Sequence, residues 1–296
     1  MPVQFPGVAG CRDARRILSD ALSEGRLPRT ILLSGPEGSG KRALALGCAQ
    51  ELLHDGSGRA LRGEHPDVVI FDRGGDAVTV DEARALREAA FLSPTEADTR
   101  VFLLCHAQNL RVEAQNALLK LLEEPPVYLF LLCENDGAIL ETVRSRCLKL
   151  STQPPDAAEA QAILRARCPD APAQTLTRLL SDAGGYPETA AALWARRNTE
   201  EGRRAAQLAE TLIDRALAGD ELGLWRAILA QDKLSRDDCA LLLAVLSEQL
   251  LHRMETDGAS AELLRLSELA ARMRALVPKN VHSSHILGLF SQYFVQ

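Results

Sequence analysis

Apolar residues run in short unbroken blocks through the first half of the chain and in helical stripes through the second. The blocks at 30–34 (TILLS), 67–71 (DVVIF), 101–104 (VFLL) and 128–133 (YLFLLC) are only four to six residues long. Such runs are too short for buried helices and predict strands covered on both faces. Between them the period changes. Residues 11–24 place Ile17, Leu18, Ala21 and Leu22 at helical spacing, and Gly25 ends that helix. Residues 42–53 continue as a helix rich in Ala and Leu, followed by a polar loop over 54–63. Thr79 and Glu82 form a capping box that starts a helix running to about Leu92, before Ser93-Pro94. Residues 111–124 set Leu118, Leu119 and Leu122 along one side, and Pro125-Pro126 closes the helix. Apolar strands alternating with helices predict an α/β fold built on a parallel sheet.

The pattern changes near Ser151, beyond which the sequence predicts helices alone. Residues 156–167, 173–183 and 188–194 form a small three-helix unit, so the expected domains are 1–152, a helical 153–198 and an all-α 199–296. A polar stretch at 196–202 precedes the last of these. Its helices are expected at about 203–218, 221–230, 236–254, 260–276 and 281–292. Leu241, Leu242, Val245, Leu246 and Leu250 make an apolar stripe there.

Composition narrows the function classes. Aromatics reach only 4%, too few for a base-stacking platform, and a net charge of −6 argues against a chain that coats nucleic acid by itself. No apolar run approaches a membrane span, and the N-terminus has no secretion signal, so a cytoplasmic protein is expected. The seven cysteines (Cys11, Cys48, Cys105, Cys133, Cys147, Cys168 and Cys239) are scattered with no C-x-x-C pair, which fits reduced thiols and no zinc. His282 and His285, three apart with no acidic or thiol partner nearby, fit surface or packing roles.

Chemistry concentrates after the first strand. Gly35-Pro36-Glu37-Gly38-Ser39-Gly40-Lys41 follows a strand and opens a helix, the context of a phosphate-binding loop. Its glycines let backbone N–H groups wrap a phosphate, and Lys41 reaches the outer phosphates. A Ser or Thr should follow to hold Mg²⁺, but this chain has Arg42, which carries no oxygen. The expected acid at the end of a neighbouring strand is also missing, because the strand at 101–104 ends in Cys105-His106. Gly35, Gly38, Ser39, Gly40, Lys41 and Arg42 are the candidate nucleotide-binding residues. Weak ATP or ADP binding, or none, is open, and no cofactor is required.

Further blocks carry a resemblance. His65-Pro66-Asp67 precedes the second strand, residues 116–126 read NALLKLLEEPP, and Arg144-Ser145-Arg146-Cys147 follows the fourth strand. With the loop, these resemble the bacterial clamp-loader subunits of the AAA+ superfamily, the gamma/tau and delta-prime group of DNA polymerase III. The resemblance covers residues 5–195 well and the rest only by length and helicity. Relative to gamma/tau, the metal-holding hydroxyl and the acidic pair are absent, and of the four zinc cysteines only Cys48 is present. Gly184-Gly185-Tyr186-Pro187-Glu188 stands where the lid arginine would be. That combination resembles delta-prime, the non-hydrolysing stator, with a working ATPase of the gamma/tau type as the alternative. The resemblance implies an AAA+ domain, a lid domain and a C-terminal collar, and assembly with gamma/tau and delta. Through that complex the chain would meet a sliding clamp and primer–template DNA. It also implies that Arg146 is an arginine finger acting on a neighbouring subunit's ATP, a salt-bridge arginine being the plain alternative. Asn135 occupies the place of a polar sensor residue, here without its partners in the chemistry.

Overall fold

A computed structural model describes residues 3, 5, 7–74, 76–123, 126–197, 199–230, 234–277, 281 and 283–294. Glu124 and Pro125 of the leucine-rich block, and His282, lie outside the described residues. The chain divides into two compact units, 1–160 and 161–296.

The first unit is a five-stranded parallel sheet in the order β2-β3-β4-β1-β5. Its strands are β1 (Thr30–Ser34), β2 (Val68–Phe71), β3 (Val101–Leu104), β4 (Tyr128–Cys133) and β5 (Leu148–Ser151). The helices are α1 (Arg12–Ser23), α2 (Lys41–Leu52), α3 (Arg59–Arg62), α4 (Val80–Ala90), α5 (Val112–Glu123) and α6 (Glu141–Arg144). Strand alternation explains why the blocks are apolar throughout. Ile31, Leu33, Val101, Leu103, Phe130 and Leu132 face the core shared with α1 and α2. Leu32, Phe102, Leu104, Leu129 and Leu131 face the core shared with α4 and α5. Thr79 and Glu82 make both bonds of the capping box that starts α4.

Two features depart from the sequence-based expectation. The edge strand β5 was not predicted: LKLS buries only Leu150, so it lacks the continuous apolar run of the central strands. Within the expected loop 54–63 lies the one-turn α3, whose Ala60 N–H donates to Asp55 at 2.7 Å.

The His65-Pro66-Asp67 block has a structural task. Asp67 is fully buried and accepts N–H bonds from Thr95 (2.6 Å), Glu96 (2.8 Å) and Ala97 (2.9 Å). Burial alone would push its pKa up. The three N–H bonds outweigh that and hold the carboxyl below its usual range. His65 Nδ1 accepts the Asp67 N–H at 3.1 Å. The loop entering β3 is therefore fastened to the start of β2.

The division between units falls within α7 (Ala157–Arg167). With α8 (Ala173–Asp182) and α9 (Pro187–Arg197) it forms a three-helix group around Leu164, Cys168, Leu176, Leu179 and Ala190. A second core gathers α10 (Glu200–Leu217), α11 (Glu221–Leu229), α12 (Arg236–Asp257), α13 (Ala261–Arg274), α14 (Ser283–Gly288) and α15 (Ser291–Phe294). Leu241, Leu242, Val245, Leu246 and Leu250 all face inward there. The expected helix at 281–292 is broken into α14 and α15 around Leu289 and Phe290. No helix among the described residues is long and apolar enough to cross a membrane.

Candidate functional site

The phosphate-loop sequence does fold as a strand–loop–helix turn between β1 and α2. Gly35 sits so close to Thr152 that a Cβ would meet Oγ1 at 1.8 Å, and its φ of +151° also suits glycine alone. Gly40, at φ 88°, is the left-handed residue from which α2 starts, and an added Cβ would meet Val8 at 3.4 Å. Ser39 is buried, and its carbonyl accepts a bond from the Cys11 thiol at 3.4 Å. Cys11 donates its own N–H to Gln153 O at 2.9 Å. The chain entering α1 thus packs against the loop and the segment leaving β5.

Both cations of the loop bond to the chain's own groups. Lys41 Nζ donates to Gly35 O at 2.5 Å and Pro36 O at 2.7 Å, and lies 3.5 Å from Ser39 Oγ. Burial lowers its pKa, while nearby Glu134 opposes that shift. Arg42 Nη1 lies 3.5 Å from Asp72 Oδ2. Asp72 follows β2, accepts the Gly74 N–H at 2.9 Å, and has His106 Nε2 3.6 Å from its Oδ1. Cys105, at the end of β3, has its thiol pushed up to about 11, first by burial and then by the Asp72 charge.

Asp72 is thus an acid at the site that sequence reasoning missed. The acid was expected at the end of β3, whereas Asp72 follows the neighbouring strand β2. Its carboxylate faces a guanidinium, and among the described residues no three His, Cys, Asp or Glu side chains are grouped to hold a metal. The backbone turn suits a phosphate; the side chains beside it do not suit Mg²⁺, because the residue after Lys41 brings a positive charge.

Asn135 is engaged locally. Its Oδ1 accepts the Gly137 N–H at 2.8 Å and caps the turn after β4. Glu134 and Gln108 hold each other through reciprocal bonds of 3.3 and 3.5 Å.

The two signature blocks meet each other. Arg146 places Nη2 at 2.8 Å and Nε at 3.2 Å from Glu123 Oε1, at the end of α5. Its Nη1 donates to Thr142 O at 2.8 Å. Its carbonyl accepts the Thr30 hydroxyl at 2.5 Å. Upstream, the buried Gln115 donates to Leu110 O and Ala138 O and accepts the Leu140 N–H at 2.7 Å. That ties α5 to the segment leading into α6. Arg144 pairs instead with Glu141, three residues back, and lies 3.9 Å from Asp136. The sequence showed both blocks but not their contact. The signal was a helix-ending acid and a strand-following arginine on two elements that pack together.

Comparison with known proteins bears on this arrangement. A family model described as DNA polymerase III, delta subunit, matches residues 11–156. The DNA polymerase III subunit delta' of Pseudomonas aeruginosa is 32% identical over 244 residues, 77% of this chain and 74% of that protein. The gamma/tau subunit of Mycobacterium bovis is 35% identical over 162 residues, 49% of this chain and 28% of its own length. Among solved structures, a gamma subunit-related protein of Thermotoga maritima superposes with a TM-score of 0.51 at 16% identity, covering 94% of this chain and 98% of that one. A RuvB variant from the same organism also gives 0.51 at 16% identity, covering 100% of this chain and 90% of that one. At such identities these two likenesses speak to the fold alone.

Proposed function

The chain belongs to the delta' family of DNA polymerase III subunits and is a clamp-loader subunit, and from that premise we propose that it hydrolyses no ATP itself and supplies Arg146 to ATP held by a neighbouring subunit. The observation that carries the first half is the Arg42–Asp72 pair. Where a P-loop enzyme needs a hydroxyl oxygen for Mg²⁺, this chain holds a guanidinium 3.5 Å from an acid. β3 offers Cys105 and His106 instead of carboxylates. No cofactor is required; any nucleotide entering the loop is held weakly, through Lys41 and backbone N–H groups.

The second half rests on chemistry at the 145–147 turn. A planar, permanently charged fork suits the charge that develops on a γ-phosphate during cleavage. The phosphate loop has no hydrolysis of its own for that arginine to serve. In this reading the chain works in the cytoplasm with gamma/tau and delta, and through the complex it meets the sliding clamp and primer–template DNA. The helices from α10 onward form the collar through which it assembles.

The test is direct. The isolated chain with Mg·ATP should give no turnover approaching even about 1 s⁻¹, the low end of ordinary enzymes. A complex with gamma/tau and delta carrying Arg146→Ala should assemble normally and lose several-fold in clamp loading. Turnover by the isolated chain overturns the first half, and unchanged loading by the variant complex overturns the second.

A further inference from the structure

Resting on the finger reading above, we infer that Glu123 is a positioning residue that fixes the orientation of Arg146. An arginine at the surface has several rotamers within reach, and only some aim its donors outward. Here one carboxylate oxygen takes the Nε–Nη2 side of the guanidinium, at 3.2 and 2.8 Å. The Thr142 carbonyl takes one N–H of Nη1 at 2.8 Å. A guanidinium has five N–H donors. Among the described residues, the bonds shown engage three of them. One N–H on Nη1 and one on Nη2 remain. Two donors on the two terminal nitrogens of one planar group suit two oxygens of one anion.

The placement of Glu123 supports a role beyond stability. It is the last residue of α5, where the helix dipole disfavours a negative charge. It is half-exposed, and its partner is 36% exposed, so the pair contributes little to folding. Its elements are nevertheless held firmly. Gln115 bonds the segment before α6, and Thr30 on β1 bonds the Arg146 carbonyl. Glu123 and Arg146 therefore approach each other from fixed backbones, and the carboxylate decides the direction of the side chain alone. Removing that carboxylate leaves the charge of Arg146 intact and leaves only the Thr142 carbonyl to direct it. Misdirection of a group that acts only in the transition state lowers turnover rather than ground-state binding.

The experiment uses the assembled complex. Glu123→Ala should lower the clamp-stimulated ATPase kcat by less than Arg146→Ala does, about twofold, with KM for ATP and assembly unchanged. Glu123→Gln, which keeps an acceptor oxygen at the same place, should restore most of that loss. In an Arg146→Ala complex, adding Glu123→Ala should change nothing further. A normal or raised kcat for Glu123→Ala, alongside a loss for Arg146→Ala, overturns the positioning role and leaves the finger standing. Multiplying losses in the double variant do the same. An Arg146→Ala complex with full activity removes the finger reading itself, a different and separable failure.

Discussion

Two loops of the same domain each carry cations, and the chain treats them differently. At the phosphate loop Lys41 is bonded to the carbonyls of Gly35 and Pro36, and Arg42 faces Asp72. At the 145–147 turn Arg146 is also held by its own chain, through Glu123 and Thr142. The difference lies in which donors are engaged. Lys41 is partly buried among carbonyl oxygens, and Arg42 brings positive charge to the place where a metal would be needed. The bonds to Arg146 engage Nε and Nη2 through Glu123 and Nη1 through the Thr142 carbonyl. The phosphate loop thus keeps its backbone shape while both its cations turn to the chain's own oxygens, and the 145–147 turn fixes its arginine against α5.

The comparison breaks most plainly at Arg146. Arg146→Ala removes a group of a kind that contributes roughly 10³–10⁵ in rate at a single nucleotide site. Only one of the ring's ATP sites borders this subunit in the proposed assembly, so ensemble ATPase and loading onto primed DNA should fall several-fold. Arg144→Ala is the internal control. Its partners Glu141 and Asp136 lie on its own turn, and loading should stay near normal.

Stability gives the next largest effect. Asp67→Ala removes the shared acceptor of the Thr95, Glu96 and Ala97 N–H groups, and should cost about 1–3 kcal/mol in a urea titration. The pH dependence has a definite sign. Because the folded pKa of Asp67 is depressed, its contribution is fully present above the unfolded value of about 4. It is lost as pH falls through the folded value. Asp55, held down to about 2 by the Ala60 N–H and the Ser57 hydroxyl, acts in the same direction. The urea midpoint should therefore drop as pH is lowered below about 4, and Asp67→Asn should flatten that drop.

Nucleotide binding is smaller still. Whatever affinity the loop retains should fall with Lys41→Ala and be indifferent to a metal chelator. A strong dependence on Mg²⁺ in a calorimetric titration would mean that Asp72 or another acid holds the ion.

The fold was largely legible because its strands are buried on both faces. Uninterrupted runs such as YLFLLC have no other economical reading beside helices of amphipathic pattern. The edge strand β5 was not legible, since one buried leucine in four residues gives no period. At the site, the backbone could be read from glycine spacing, because Gly35 and Gly40 are demanded by close approach and by left-handed turns. Side-chain pairing could not. Arg42 with Asp72, and Glu123 with Arg146, join residues 30 and 23 positions apart through the packing of separate elements. The same holds for Asp67, whose block marked a strand start but whose bonds to 95–97 depend on where the next loop returns.

The finest test of the comparison is Arg42→Thr, for which the expected change in turnover is none. The substitution restores the hydroxyl that a P-loop enzyme uses for Mg²⁺. It also releases Asp72 from the guanidinium 3.5 Å away. That pair is largely solvent-exposed, so stability should move by no more than about 0.5 kcal/mol, and the melting temperature should barely change. Two obstacles to hydrolysis stay in place. The end of β3 still presents a thiol whose pKa is raised to about 11, followed by a histidine. Asp72, though freed, leaves β2, is anchored by the Gly74 N–H, and stays 3.6 Å from His106. A metal held by the introduced hydroxyl alone would have no carboxylate placed to orient a water. Steady-state ATPase of the isolated Arg42→Thr chain should match the parent at background. Mg²⁺-dependent turnover in that variant would show that Asp72 can serve as the missing acid, and that a single side chain separates this loop from a working one.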